Sequence, residues 1–275
     1  SLTSYNFQSV KIHYNSRRFE LDCYCKNLKI AFEYNGMFWH STKNISDKNY
    51  HIDKTKWCKE QGIRLVHIFE HEWLYKKDLV KSRIKSILGI NNKIFARKCH
   101  VQKISSDESR AFMNKNHIQG NANSPIRYGL YYKDKLVSCM TFSKSRFNQK
   151  YQFELVRYCS IQGYNVVGGA SKILSQFIKD WTPCTIVSYC DLRWNTGNLY
   201  TAMGFTLSHT SPPNYWYFNI KTGELESRMK YQKHKLSKLL ENFDKNLTEE
   251  KNMDIHNFFK LYDCGSDVYI MNIKR

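Results

Sequence analysis

Asp22, Glu33 and His40 are the residues of this chain whose types and spacing most directly offer chemistry. The two carboxylates stand eleven positions apart, in Glu20-Leu-Asp22 and in Glu33-Tyr-Asn-Gly-Met-Phe-Trp-His40, each at the edge of a β-rich run. Strand side chains alternate between faces, so two antiparallel strands can bring one acid each to a hard divalent cation. A histidine beside them, titrating near neutrality, could deprotonate a water. On this reading Asp22 and Glu33 hold Mg²⁺ or Mn²⁺ and the reaction is hydrolysis of a phosphodiester. The same three residues also read as a surface carboxylate, a salt-bridge partner and a loop histidine, and spacing alone leaves both readings open.

Local patterns supply the elements that must position them. Cys23-Tyr-Cys25 and residues 28–32 are short strand-like runs separated by the turn-forming Lys26-Asn27, and Gly36 breaks the second run. Residues 47–61 have helical character and stop at Gly62, with His51 and Lys54 on one face and Tyr50, Trp57 and Cys58 forming an apolar stripe. Residues 63–69 predict a buried strand, and residues 72–88 one amphipathic helix closed by Gly89.

The blocks Leu21-Asp22, Ala31-Phe-Glu-Tyr-Asn-Gly-Met-Phe-Trp-His-Ser41, Tyr50-His51-x-x-Lys54 and Gly62-Ile-Arg-Leu-Val-His-Ile-Phe-Glu70 resemble the Vsr-like endonucleases. These include phage homing endonucleases of the EDxHD type, a branch of the PD-(D/E)XK fold. The resemblance spans about residues 10 to 90. It implies that Asp22 binds metal, that Glu33 supplies the second ligand and that His40 activates water. It places Asn35, His51 and Lys54 in the same site and makes Phe38 and Trp39 a wedge for the base stack, although those two rings also read as a hydrophobic plug. The family's glutamate-bearing helix before the first strand has no counterpart: residues 1–16 carry no acid. The expectation is that this helix belongs to an N-terminal segment preceding Ser1, or that another group in a larger assembly takes its role.

Composition fits a nucleic-acid partner. Lys+Arg total 43 against 24 Asp+Glu, a formal charge of +19, and residues 1–95 (17 basic, 9 acidic) are basic like the remainder (26 and 15). Such a surplus favours phosphates through counterion release, although the abundance of Lys, Asn, Tyr and Ile also fits an AT-rich genome. At 41% hydrophobic and 275 residues the chain can bury two cores. No run approaches the roughly 20 apolar residues a membrane span needs, and no secretory signal opens the sequence. Nine scattered cysteines without a CxxC pair read as reduced thiols in a cytoplasmic setting, such as a phage-infected bacterial cell, with a zinc site from distant Cys and His as the alternative.

A second domain is expected from about residue 96. A strand at 99–104, a helix at 106–116 capped by Ser106 or Asp107, and strands at 128–132, 136–143 and 152–159 precede Val167-Gly168-Gly169-Ala-Ser171-Lys172, which opens a helix to about 179. A strand at 186–190 and a short helix at 198–203 follow. With Ser188-Tyr-Cys-Asp191 and Gly197-x-x-Tyr200-x-x-x-Gly204-Phe205, this order resembles the GNAT acetyltransferases, and more closely their phage Mom-like branch, over about residues 97 to 220. The resemblance implies that acetyl-coenzyme A binds with its pyrophosphate on Gly168, Gly169 and Ser171 at a helix amino terminus. The chain departs from the usual Arg/Gln-x-x-Gly-x-Gly/Ala pattern, lacking a basic residue just before Gly168.

Residues 230–240 predict a basic helix whose Lys230, Lys233 and Lys235, with Arg228, are candidate phosphate contacts or a solvated face. Residues 242–254 look linker-like, and residues 262–270 predict a turn and a final strand. The whole is expected to be α/β (α+β): a PD-(D/E)XK-type nuclease core with a mixed sheet at 1–95 and a GNAT-like mixed α/β domain with a basic extension at 96–275. The expected function is a Mg-dependent endonuclease of double-stranded DNA. The alternatives are a DNA-modifying Mom/GNAT-like transferase, in which the first domain only grips DNA, and a non-catalytic DNA-binding module.

Overall fold

The computed structural model describes residues 5–14 and 17–273. The first unit is built on strands β1 (Gln8–Tyr14), β2 (Arg17–Cys25) and β3 (Ile30–Asn35), the one-turn helix α1 (Met37–His40), helix α2 (Tyr50–Glu60), strand β4 (Arg64–Phe69), and helices α3 (Glu70–Tyr75) and α4 (Lys77–Ile87). Its sheet runs in the order β1-β2-β3-β4, antiparallel except for the parallel β3·β4 pair. Alternation decides which face of β2 is buried: Phe19 and Leu21 point into the core, whereas Glu20 and Asp22 stay exposed. Residues 72–88 do not form the single predicted helix. The chain breaks at Lys76 (φ −136°), because the buried Glu72 accepts the Phe69 N–H and fixes a separate turn before α4 starts.

The second unit begins with β5 (Asn92–Phe95), a 3-10 turn at Ala96–Lys98 and β6 (His100–Lys103), followed by α5 (Ser106–Asn116), β7 (Ile126–Tyr132), β8 (Lys135–Lys144), β9 (Phe153–Ser160) and β10 (Tyr164–Val167). Helix α6 (Gly169–Trp181), β11 (Thr185–Asp191), α7 (Asn198–Ala202), β12 (Thr206–Thr210), β13 (Tyr215–Asn219), β14 (Leu225–Ser227), α8 (Lys233–Leu236), α9 (Glu249–Ile255), β15 (Phe258–Tyr262) and β16 (Ser266–Asn272) complete it. A seven-stranded mixed sheet has the order β12-β16-β11-β9-β8-β7-β6, and β13 to β15 form a small separate sheet. The fold is therefore mixed α/β with several sheets. Ala170, Ile173, Leu174 and Phe177 recur at helical spacing on α6 and press onto the large sheet, with Phe177 stacked on Phe142 at 3.7 Å.

Several expectations at the edges give way to tertiary demand. The cap of α5 is Ser105, whose hydroxyl accepts the Glu108 N–H at 3.1 Å. The basic helix predicted at 230–240 shrinks to the four residues of α8, because Tyr231 and Leu236 turn inward to pack with Tyr217 and Met253. The linker-like segment contains α9, capped by Thr248. The final strand predicted after the turn forms as β16 and completes the large sheet between β12 and β11. Trp194, in the loop after β11, is buried in the core formed by Phe32, Val66, Ile68, Leu79 and Val80, so the two units share a hydrophobic contact. No helix among the described residues is long and apolar enough to cross a membrane.

Candidate functional site

Two places bear on function. In the first unit, the β2·β3 register sets Cys23 against Phe32 and puts Asp22 and Glu33 side by side. The Asp22 carboxylate accepts the Tyr34 N–H at 2.8 Å, and Glu33 accepts the Asp22 N–H at 3.2 Å. Glu33 is then taken by Lys54, 2.5 Å away, with side chains only 4% and 3% exposed, and Lys54 also donates to the Glu20 carbonyl. Burial raises the Glu33 carboxyl above its ordinary value, with Lys54 pulling the other way. His40 Nδ1 lies 2.9 Å from His51 Nε2, and the His51 ring packs edge-on to His67. Asn35 donates to His67 Nδ1 at 3.1 Å, while His67 Nε2 meets the Thr55 hydroxyl at 2.9 Å. Burial, reinforced by Lys54, pushes His40 down to about 4; burial, with His40 and Lys54, pushes His51 down to about 3.

The expected residues thus lie in one neighbourhood, but as an internally satisfied network. Among the described residues no group of three or more His, Cys, Asp or Glu side chains is arranged to hold a metal ion. Phe38 (39% exposed) and Trp39 (68%) face outward on α1, and Met37 supplies the buried plug beside Phe69, Phe218 and Leu261. Of the basic tail, Arg228 covers the Tyr215 ring at 5.4 Å, Lys230 pairs with Glu226, Lys235 donates to the Met229 carbonyl at 2.9 Å, and Lys233 is exposed at the start of α8.

The second place is a cleft of about 590 Å³ in the large sheet. Parallel strands β9 and β11 pair only from Phe153 to Leu155 against Ile186 to Ser188, and then part. At the same point β9 carries an extra residue, since Leu155 opposes Phe142 and Arg157 opposes Thr141, leaving Val156 as a bulge. Bulges bend a strand and re-aim its side chains, so the divergence has a local cause. Tyr200 of α7 enters the cleft with its hydroxyl 3.2 Å from that of Ser188, whose oxygen lies 2.8 Å from the Leu155 carbonyl. Burial raises the Tyr200 phenol above its ordinary value. The walls are mostly cationic: Arg64, Arg83, Arg146 and Arg157 line the cleft together with Glu154 and Asp191. Glu154 is held by Arg146 (Nε to Oε2 3.1 Å), and Asp191 by Arg193 at 2.7 Å, while Arg193 also reaches Glu72 of the first unit at 2.9 Å.

At the expected phosphate turn, Gly168 adopts φ +76° and caps α6, and Gly168 and Ser171 are exposed. Gly169 answers a packing demand, since a Cβ there would sit 2.9 Å from Val166 and 3.1 Å from the Tyr158 hydroxyl. Lys172 donates to the carbonyls of Ala96 and Cys99. Gly168 and Ser171 therefore leave an outward face on the first turn of a 13-residue helix.

Arg83, Arg146 and Arg157 were not singled out in the sequence. Arginines from β4, α4 and β9 are far apart in the chain, and contacts between the units, among them the packing of Trp194 against β4 and α4, bring them together. Asp191 and Tyr200 did carry a signal, through the Ser-Tyr-Cys-Asp and Gly-x-x-Tyr-x-x-x-Gly-Phe strings.

No family model and no curated protein matches the chain. Solved structures do match, each along 64% of this chain and 99% of its own: a GNAT family acetyltransferase from Elizabethkingia anophelis with acetyl-CoA bound (10% identity, TM-score 0.37), a Bacillus subtilis acetyltransferase in complex with CoA (11%, 0.35) and an N-acetyltransferase from Staphylococcus aureus Mu50 (12%, 0.38). At such scores the likeness assigns neither substrate nor activity. These structures are acetyltransferases, two of them holding acetyl-CoA or CoA, and not metal-dependent hydrolases, which corrects the expectation of a Mg-dependent endonuclease; a PD-(D/E)XK core is not shown.

Proposed function

We propose that this chain is a GNAT-like group transferase directed to DNA, in which the cleft between β9 and β11 is the transfer site and the first unit grips the acceptor. The observation that carries the reading is the coincidence, at one level of the sheet, of the Val156 bulge, the parting of two parallel strands and the Tyr200 hydroxyl. Sheet hydrogen bonding is given up there, and an open wedge with a buried phenol takes its place.

A coenzyme A thioester would supply an acyl group activated by a good leaving thiol. The parted strands would leave room for an extended ligand arm beside Tyr200. Burial raises the Tyr200 phenol above its ordinary value, so it keeps its proton at neutral pH and would be placed to donate a hydrogen bond to the sulfur of a thioester as negative charge develops there. Ser188 keeps the phenol directed into the wedge. Gly168 and Ser171 would meet the pyrophosphate at the start of α6. The +19 charge and the exposed Phe38 and Trp39 suit a DNA acceptor. Titration calorimetry with acetyl-coenzyme A, followed by mass spectrometry of DNA incubated with both, tests the reading: binding heat and added mass on the bases support it, and neither effect at saturating protein removes it.

A further inference from the structure

Three arginines in the cleft are under-used by the protein. Arg64 opens β4, Arg83 lies in α4 and Arg157 in β9, so both units contribute to one wall. The Nε–H of each is buried and has no hydrogen-bond partner. What contacts they do make are weak or local: Arg64 to the Trp194 carbonyl at 3.4 Å, Arg83 to Asn195 Oδ1 at 3.4 Å and across the Trp194 ring, and Arg157 to the adjoining Val156 carbonyl at 2.9 Å. The carboxylates facing them, Glu154 and Asp191, are engaged by Arg146 and Arg193. Among the described residues none of the three forms a salt bridge. A fold pays for each such donor unless something external accepts it.

We propose that Arg64, Arg83 and Arg157 form a phosphate-binding wall and that the molecule entering the cleft between the two units is a nucleotide. Guanidinium forks match phosphate oxygens in geometry and remain charged when partly desolvated. Burial lowers the pKa of all three from the ordinary arginine value. At the rim, Phe147 is 75% exposed and meets the Tyr189 ring edge-on at 5.8 Å, a surface on which a base can stack. His117, which also lines the cleft, is held neutral by burial and by Arg157 and Arg83, so the cationic character of the wall comes from the arginines.

The proposal rests on reading the cleft as the transfer site, yet binding is measurable without transfer. One ligand chemistry has two sources here, a nucleotide within a strand and the nucleotide half of the coenzyme. The probes are therefore a labelled short single-stranded oligonucleotide, followed by fluorescence anisotropy, and adenosine 3′,5′-bisphosphate, followed by calorimetry. Arg83→Gln/Arg157→Gln is expected to weaken at least one probe by about tenfold, and for the strand to reduce the logarithmic salt slope by about 1.4. Lys133→Gln/Lys135→Gln, which removes equal charge from the turn between β7 and β8, is expected to change binding less than about twofold. Loss for the strand alone assigns the phosphate to the acceptor, and loss for the bisphosphate alone assigns it to the coenzyme. The wall is overturned if wild type binds neither probe below about 1 mM, or if the cleft and turn variants weaken binding equally. Should the double variant fail to melt cooperatively, Arg157→Gln alone, whose guanidinium touches only a neighbouring carbonyl, is expected to cost about threefold, and wild-type affinity in it would overturn the wall. Arginine-dependent binding without any acyl transfer would sink the transfer reading and leave the phosphate site standing.

Discussion

Replacing Arg193 by alanine probes how the two units are held together. The guanidinium is 2% exposed and bridges Asp191 on β11, at 2.7 and 3.1 Å, to Glu72 on α3, at 2.9 Å; it also lies over the rings of Phe69 and Trp216. The variant leaves two carboxylates, one 3% and one 16% exposed, without their cation. Breaking a buried pair from one side costs about 3–5 kcal/mol. For a chain of this size that is a fall in melting temperature of roughly 6–20 °C. The pH dependence supplies an internal check. Burial pushes the Asp191 carboxyl up, and Arg193 more than offsets this, leaving it below the ordinary value. A carboxylate depressed in the folded state contributes stability above its unfolded pKa of about 3.9, and loses it as pH falls through the folded value. In the variant the same carboxyl is buried without a partner and rises instead. The gap between wild type and variant is therefore largest near pH 7 and narrows below about pH 5. Thermal melts followed by circular dichroism across that range read both features. A gap under about 1 kcal/mol at pH 7, or one that widens toward acid, would refute the reasoning.

Gly197→Ala is expected to destabilise the chain by about 2–4 kcal/mol, because φ is +83° there and a Cβ would lie 1.9 Å from the Tyr269 hydroxyl; Tyr269 stacks on Tyr200, so coenzyme binding weakens as well, read by melts and calorimetry. His40, lowered to about 4 by burial, resists protonation in the fold but accepts it near 6.5 when unfolded, so stability falls as pH drops from 6.5 toward 4. His40→Gln is expected to flatten that slope, worth about 2–3 kcal/mol in wild type, in denaturant titrations at the two pH values. Lys54→Met removes the cation from buried Glu33, a carboxyl raised to about 7 even beside Lys54, and is expected to destabilise the chain most above pH 7 and progressively less below it, where the carboxyl binds a proton, measured by urea unfolding.

Much of the framework was legible because hydrophobic period and turn residues agree with tertiary burial. The α6 stripe and the strands around Lys133-Asp134 follow from local pattern, with Lys133 and Asp134 taking the positive φ of the turn. Helix 72–88 was misread because its break comes from a carboxylate, Glu72, serving Phe69 and Arg193 at once, which no local periodicity encodes. The spacing of Asp22, Glu33 and His40 did not disclose their partners: Lys54, on the same helix face as His51, pairs with Glu33, and His40 meets His51. The cleft was half visible. Tyr200 stood out by spacing from Gly204, whereas the arginine wall depends on Trp194 locking into a core made by the other unit.

The central claim is that the wedge between β9 and β11 carries out group transfer with Tyr200 as the hydrogen-bond donor to the thioester sulfur. Steady-state transfer from acetyl-coenzyme A to DNA, compared between wild type and Tyr200→Phe with coenzyme affinity measured alongside, tests it most directly. The account predicts added mass on DNA with wild type, and in the variant a turnover about 10²-fold lower with coenzyme affinity retained. Turnover equal to wild type in the variant, or no transfer from a wild-type protein that binds no coenzyme, would contradict it.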